Sequence, residues 1–151
     1  MKKVLGIVVL GLLWCNISFA DNLKIIDGDT IVLNNEKIRF SGIDTPELKQ
    51  TCVKNGQKAS CGMFAKMLLI KKIGNKPPQC IREGKDIYNR TLAECFVNGE
   101  SLSSFLVRSG YAFAYRKYSK KFIEDEEFAK TNKLGMWSMK FQYPWDFRKG
   151  S

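Results

Sequence analysis

The chain of 151 residues carries 25 lysines and arginines against 15 acids and no histidine, for a formal charge of +10. Without histidine, Ser-His-Asp triads, histidine-based nucleases and histidine zinc sites are excluded, so any chemistry must come from carboxylates, hydroxyls and guanidinium groups. The basic surplus fits a polyanionic partner, either nucleic acid or an anionic membrane surface, and equally fits a well-solvated surface.

Lys2-Lys3, the apolar run Val4 to Cys15 and the small residues of Ser18-Phe19-Ala20 read as a secretory signal cut after Ala20. The run is short for a membrane span, and bulky Trp14 before Cys15 argues against a lipid anchor. The expected organisation is a signal peptide at 1–20 and one domain at 21–151, with a core over about 23–137 and a C-terminal tail at 138–151. The product is expected to be an exported monomer, periplasmic or released, with no stable membrane insertion after cleavage. Cleavage removes two lysines and no acid, so the mature chain stays strongly basic. Its four cysteines, Cys52, Cys61, Cys80 and Cys95, are an even set that predicts two disulfides in an oxidising compartment. Their spacings contain none of the short pairs that four-thiolate zinc sites use.

From Asn22 to Ile43, short apolar runs alternate with turn signals: Leu23 to Ile26, Asp27-Gly28, Thr30 to Leu33, Asn34-Asn35, then Ile38 to Ile43. This pattern predicts three antiparallel strands, the third ended by Thr45-Pro46, because proline fixes φ and removes a ladder donor. Leu48 to Gly56 predicts an irregular polar loop. From Gln57 the recurrence of Ala59, Met63, Met67 and Ile70 predicts a helix, against which Gly62 costs about 1 kcal/mol of propensity. Cys52 and Cys61 bracket that loop and the helix start, so joining them would staple the loop down.

Asn75-Lys76-Pro77-Pro78 is a break. Beyond it, Gln79 to Glu83 and Thr91 to Val97 predict two strands folding back near Ile87, which sets Cys80 opposite Cys95 within disulfide reach. Among the three connectivities, Cys52–Cys61 and Cys80–Cys95 are therefore expected, each contributing about 3 kcal/mol in the chain-entropy model. Ser101 can cap a helix with Leu102, Phe105 and Leu106 on one face, closed by Gly110. After the aromatic stretch Tyr111 to Tyr118, a last helix is predicted over Lys121 to Leu134, with acids early, lysines late and Gly135 as the stop. The order defines an α+β fold, a five-stranded antiparallel OB-type β-barrel with three α-helices.

Acids and arginines concentrate at Ile26-Asp27-Gly28-Asp29-Thr30 and at Arg39 to Glu47. Asp29 and Asp44, brought together across neighbouring strands, can hold a hard cation such as calcium, with the Thr45 carbonyl as a further oxygen; magnesium tolerates the same ligands less flexibly. Glu47, behind the stiffening Pro46, is placed to act as a general base. Arg39 and Arg90 supply guanidinium forks that match phosphate oxygens. Arg39 and Asp44 are an odd number of residues apart, so a regular strand aims them at opposite faces, and Gly42 is the residue able to re-aim one. Read singly, each part has an ordinary explanation: a solvated turn, a surface arginine, a strand exit.

Together these stretches resemble the staphylococcal nuclease (thermonuclease) family, in its exported, cysteine-bearing bacterial branch, over about Leu23 to Trp137. Ile26 to Thr30 is similar to the first family motif, which implies calcium ligation by Asp29. Arg39 with Asp44-Thr45-Pro46-Glu47 is similar to the second. It implies phosphate contact by Arg39, calcium ligation by Asp44 and the Thr45 carbonyl, and general-base action by Glu47. Asp86 to Ala93 resembles the third, implying a second phosphate arginine at Arg90. Leu106 to Ala112 and Leu134 to Trp137 match the helical landmarks. The chain departs at Asn89, where the family usually has glycine, and at Ile87, where it often has a basic residue. Tyr88 is then the substrate-binding residue of that turn, and Tyr115 and Tyr118 are base-stacking candidates that could equally pack under the last helix. The resemblance implies calcium-dependent hydrolysis of DNA and RNA, single-stranded or locally opened, leaving 3′-phosphate and 5′-hydroxyl ends. The alternatives are a catalytically inactive nucleic-acid-binding module of the same fold and a cell-envelope protein with a different phosphodiester substrate. The 138–151 tail is left to pack on the barrel or to engage a partner.

Overall fold

The strand pattern closes into a curled sheet because its apolar positions alternate onto one face. In the computed structural model, which describes residues 21–150, the strands β1 (Leu23–Ile25), β2 (Thr30–Leu33) and β3 (Glu36–Phe40) form an antiparallel meander. The predicted signal peptide, residues 1–20, lies outside the described residues. The chain continues through β4 (Ile43–Asp44), β5 (Cys52–Lys54), β6 (Gln57–Ala59), helix α1 (Cys61–Ile73), β7 (Gln79–Lys85), β8 (Thr91–Val97) and β9 (Glu100–Ser101). It ends with α2 (Leu102–Arg108), β10 (Phe113–Ala114), α3 (Ile123–Thr131), a 3-10 turn (Gly135–Ser138) and α4 (Pro144–Lys149). The main sheet runs β1-β2-β3-β8-β7, with β9 on β8, and the short pairs β4–β10 and β5–β6 stand apart from it.

The OB-type α+β fold expected from the sequence is present, with four revisions. The sheet is mixed: β3 and β8 pair in parallel, with Ile38 beside Thr91 and Phe40 beside Ala93. Parallel neighbours need a long crossover, and the stretch that includes α1 supplies it. Leu48 to Gly56 is not irregular throughout, since β5 and β6 form a hairpin whose turn, Asn55-Gly56, has φ of +51° and +79°. Asn-Gly is the preferred pair for that two-residue turn, and it delays the helix to Cys61. Within α1 the buried face is Cys61, Ala65, Leu69 and Ile73, so Met63, Met67 and Ile70, which carried the predicted period, face outward. Apolar residues on both sides of α1 made its period ambiguous. Finally, the tail contains a helix that was not predicted, α4, begun by Pro144 in its first turn.

Two apolar clusters organise the interior. Ile31, Ile38, Phe40, Ile43, Leu69, Leu102 and Leu106 are wholly buried between the sheet and α1 and α2. The second cluster gathers Cys52, Cys61, Phe113 and Met136, with Trp137, Phe141, Tyr143 and Trp145 against it. The tail is therefore part of the packed body. Ser101 caps α2 as predicted, its hydroxyl accepting from the Ser104 N–H at 3.3 Å. Both expected disulfides form, with Cα separations of 5.9 Å for Cys52–Cys61 and 4.0 Å for Cys80–Cys95. Cys80 and Cys95 stand directly opposite in the β7–β8 ladder. Among the described residues no helix is long and apolar enough to cross a membrane.

Candidate active site

The acids of the first two sequence stretches converge because the turns at Asp27 and Gly42 bring them together. Asp27 turns the chain between β1 and β2 by accepting from the Asp29 N–H at 3.0 Å. Asp29 then accepts from the Thr30 hydroxyl and, across the fold, from the Thr45 N–H, both at 3.0 Å. Gly28 permits this closeness, since a Cβ there would lie 2.9 Å from Ala65 Cβ and 3.0 Å from Thr45 Cβ. Between β3 and β4, Gly42 takes φ +73° and breaks the strand, which resolves the odd spacing of Arg39 and Asp44. The Arg39 guanidinium lies 3.1 Å from Asp44 and 3.4 Å from Asp29. It also donates to the carbonyls of Phe40 and Ile43 at 3.1 and 3.0 Å.

Glu47 sits on the following loop, which is built around Gln50. The Gln50 N–H donates to the Glu47 carbonyl at 2.7 Å, and its side-chain oxygen accepts from the Glu47 N–H at 3.2 Å. Its amide nitrogen donates to the Gln142 carbonyl at 2.6 Å, so this wholly buried side chain joins the loop to the tail. From the other side α1 presses on the loop at Gly62, where a Cβ would fall 1.8 Å from the Glu47 carbonyl oxygen. The carboxylate of Glu47 remains partly exposed and is held by Arg148 of α4 at 2.8 Å. The same guanidinium reaches both oxygens of Asp44, at 3.2 and 2.6 Å.

Arg90 enters from the tip of the β7–β8 hairpin. Asp86 organises that tip, one oxygen accepting from the N–H groups of Tyr88 and Arg90 at 2.9 Å and the other from Arg90 Nε at 2.7 Å. Asn89 takes φ +60°, the left-handed conformation that asparagine tolerates in place of glycine. Tyr88 projects into solvent with the Arg90 guanidinium 5.4 Å from its ring centre. Tyr115 and Tyr118 meet edge to face at 4.8 Å. Tyr118 is exposed, whereas Tyr115 is stacked on Trp145 with ring centres 5.7 Å apart.

All the site residues named from the sequence, Asp29, Arg39, Asp44, Thr45, Glu47, Tyr88, Arg90, Tyr115 and Tyr118, line one groove of about 1010 Å³. Four contributors were not named as site residues: Asp27, Gln50, Asp86 and Arg148. Asp27 and Asp86 lie inside the quoted motifs, with Asp86 four residues before Arg90 across a turn, a spacing that could have found it. Nothing local marks Arg148, which meets Asp44 from 104 positions away.

Electrostatically the floor of the groove is crowded with negative charge. Burial, reinforced by Asp29, raises the Asp27 carboxyl to about 6. Burial also raises Asp44; the Arg148 hydrogen bonds oppose this and the Asp29 charge adds to it. Hydrogen bonds to Asp44 in turn raise Arg148 above its ordinary value, so it stays charged. Buried, mutually repelling carboxylates are a donor set suited to a hard cation. Among the described residues no three His, Cys, Asp or Glu side chains converge as a ready cage. Asp29 and Asp44 with the Thr45 carbonyl would thus supply only part of the six to eight oxygens calcium takes, with water and substrate as the remainder.

Fold and groove together define an OB-type α+β protein with an acid- and arginine-lined cleft. The family described as staphylococcal nuclease homologue matches residues 37–139, and the chain belongs to it. It is 32% identical over 123 residues to an uncharacterized endonuclease of Haemophilus influenzae, covering 77% of this chain and 64% of that protein. It is 30% identical to the succinoglycan biosynthesis protein ExoI of Rhizobium meliloti, covering 76% and 62% of the two chains, and 32% identical to the endonuclease YncB of Bacillus subtilis, covering 76% and 59%. The chain thus spans less than two thirds of the length of each of these relatives.

Proposed function

We propose that this protein is an exported, calcium-dependent endonuclease that hydrolyses DNA and RNA with little sequence preference, leaving 3′-phosphate and 5′-hydroxyl ends. The observation that carries the reading is the meeting in one groove of Asp29, Asp44 and Glu47 from the β1–β4 side with Arg90 from a separate hairpin. Family membership supports it, as do the relatives in Haemophilus influenzae and Bacillus subtilis that are named endonucleases. The two disulfides fit an exported chain.

In this reading Asp29, Asp44 and the Thr45 carbonyl would hold the calcium ion, which would supply positive charge to offset that of the phosphodiester. Glu47 takes a proton from a water that attacks phosphorus in line, and the bond from phosphorus to the 5′ oxygen breaks. That oxygen takes up a proton from solvent as it leaves, Glu47 returns its proton to solvent, and Arg39 and Arg90 neutralise charge growing on the phosphoryl oxygens. Tyr88, Tyr115 and Tyr118 stack against bases, which tolerates any sequence. Strand preference for single-stranded or locally opened substrate follows from that stacking.

The purified protein should shorten single-stranded DNA with added calcium and stop on chelation. Glu47→Gln should slow cleavage by about 10²- to 10⁴-fold, the usual share of a general base, and keep the melting temperature within a few degrees. Undiminished cleavage in chelator would remove calcium from the reading. An unchanged rate in Glu47→Gln would remove the base. Retardation of DNA without shortening would favour the inactive binding module.

A further inference from the structure

The function proposed above leaves Arg148 unexplained. Arg148 lies on α4, outside every stretch that resembles the family motifs, yet its guanidinium is bonded to both a proposed cation ligand and the proposed base. It takes the two oxygens of Asp44 at 3.2 and 2.6 Å and one oxygen of Glu47 at 2.8 Å. Asp44 is almost wholly buried and accepts three guanidinium hydrogen bonds, two from Arg148 and one from Arg39 at 3.1 Å, on the roughly four acceptor sites a carboxylate offers, so a cation that takes both oxygens must displace a guanidinium.

Arg148 is also delivered to this point by a built path. Lys140 and Val53 exchange backbone hydrogen bonds at 2.9 Å each, Gln50 holds the Gln142 carbonyl, and Tyr143, Trp145 and Tyr115 form a continuous stack of near-parallel rings. Those contacts carry the chain from the disulfide-stapled hairpin to α4, whose Arg148 lines the groove. One ring of the stack, Tyr115, is itself a proposed base-stacking residue, so the same segment covers a base platform and neutralises the acids.

We propose that Arg148 is the internal counter-cation of this site: it holds Asp44 and Glu47 until a divalent cation enters, and entry releases it and loosens α4 from the groove. The proposal rests on the reading of Asp29 and Asp44 as the cation-binding pair. Its energetic content is a population effect, because a cation that binds only when Arg148 is released sees its affinity reduced by the fraction of molecules in that state. If that fraction is about a tenth, the apparent dissociation constant rises about tenfold.

Calcium binding should be measured by titration calorimetry without nucleic acid on the wild type, Arg148→Ala and Arg148→Lys. Hydrogen exchange over residues 140–150 is followed with and without calcium. Arg148→Ala is expected to bind calcium about tenfold more tightly, Arg148→Lys to fall between, and calcium to speed exchange in the wild-type α4. In Arg148→Ala that exchange should be fast already. Equal or weaker calcium affinity in Arg148→Ala overturns the proposal, as does α4 exchange in the wild type that is unchanged or slowed by calcium; the latter decides the matter even if the variant fails to fold. A parallel DNA cleavage assay separates this from the nuclease reading. Cleavage together with unchanged Arg148→Ala affinity overturns the counter-cation and leaves the nuclease, whereas release of α4 without cleavage supports the counter-cation and removes the nuclease. Calcium binding by none of the three proteins overturns both.

Discussion

Asp86 shows how much of a phosphate-binding arginine is arranged by its neighbours. Its carboxylate takes two backbone N–H groups of the hairpin tip and the Arg90 Nε, so the turn and the guanidinium are set by one side chain. Burial pushes its pKa up, and the Arg90 bonds, backbone first and side chain next, outweigh this and hold it below the usual carboxylate value. A carboxyl whose folded-state pKa is depressed contributes stability that is full above the unfolded pKa and is lost as pH falls through the folded one. Asp86→Asn should therefore lower the melting temperature near pH 7 and narrow its gap to wild type below the unfolded value of about 4. In cleavage assays it should act through Arg90, so that Asp86→Asn combined with Arg90→Ala is no slower than Arg90→Ala alone; additive losses would show a separate role. The site residues legible in the sequence are those whose meanings are local. Asp27 to Asp29 and Asp86 to Arg90 each occupy one turn, and Arg39 to Glu47 runs through one turn and a two-residue strand into the next loop, so residue type and spacing already state much of the geometry. Arg148 carries no such mark, because the contacts that seat the tail, to Val53, Gln50 and Tyr115, are all far from it in sequence.

At the scale of elements, Gly62 reverses its sequence-based meaning. On propensity it is a flaw near the start of α1, and alanine there should help by about 1 kcal/mol. In the fold it is the point where α1 touches the backbone of the Glu47 loop, and an added Cβ would sit 1.8 Å from the Glu47 carbonyl oxygen and 2.8 Å from Leu48 Cα. Backbone on a disulfide-tied, Gln50-locked loop has little room to give. Gly62→Ala should therefore destabilise by about 1–3 kcal/mol, the usual range for overpacking, in spite of its propensity gain. It should also slow cleavage by moving Glu47, which denaturant melts and single-turnover rates would report separately. A stabilised variant of normal rate would mean that the contact relaxes freely. Elements were legible where one signal dominated, as in the β1–β3 meander and in α2 with its Ser101 cap. They were misread where two signals competed. In α1 apolar residues lie on both sides, so Met63, Met67 and Ile70 counted towards a face that the fold turns outward, while the Asn55-Gly56 turn was absorbed into a polar loop.

At the scale of the molecule, two halves of a site are joined by one pairing that no local pattern states. The parallel register of β3 and β8, with Arg39 beside Leu92, places the tip bearing Arg90 next to the strand that leads into the acids. Strand directions across a long crossover depend on how the intervening helix packs, which is why an antiparallel sheet was expected and a mixed one is found. The two disulfides staple different halves, and this separates stability from activity. Cys80–Cys95 spans 15 residues within an antiparallel ladder, bulged between Arg82 and Gly84, whose backbone bonds already hold Cys80 opposite Cys95. Cys52–Cys61 spans 9 residues and brackets the hairpin between the Glu47 loop and α1, with both sulfurs inside the second apolar cluster. In the chain-entropy model each contributes about 3 kcal/mol, slightly more for the longer loop. Paired alanine substitutions should thus cost comparable stability, yet differ in catalysis. Loss of Cys52–Cys61 frees the hairpin whose backbone meets Lys140, and with it the seat of Glu47, whereas loss of Cys80–Cys95 leaves Arg90 positioned by Asp86 and the ladder. Under conditions where both variants are fully folded, the Cys52/Cys61 pair should show the larger fall in cleavage rate. The opposite order would mean that hairpin rigidity, rather than the seating of the base, limits the reaction.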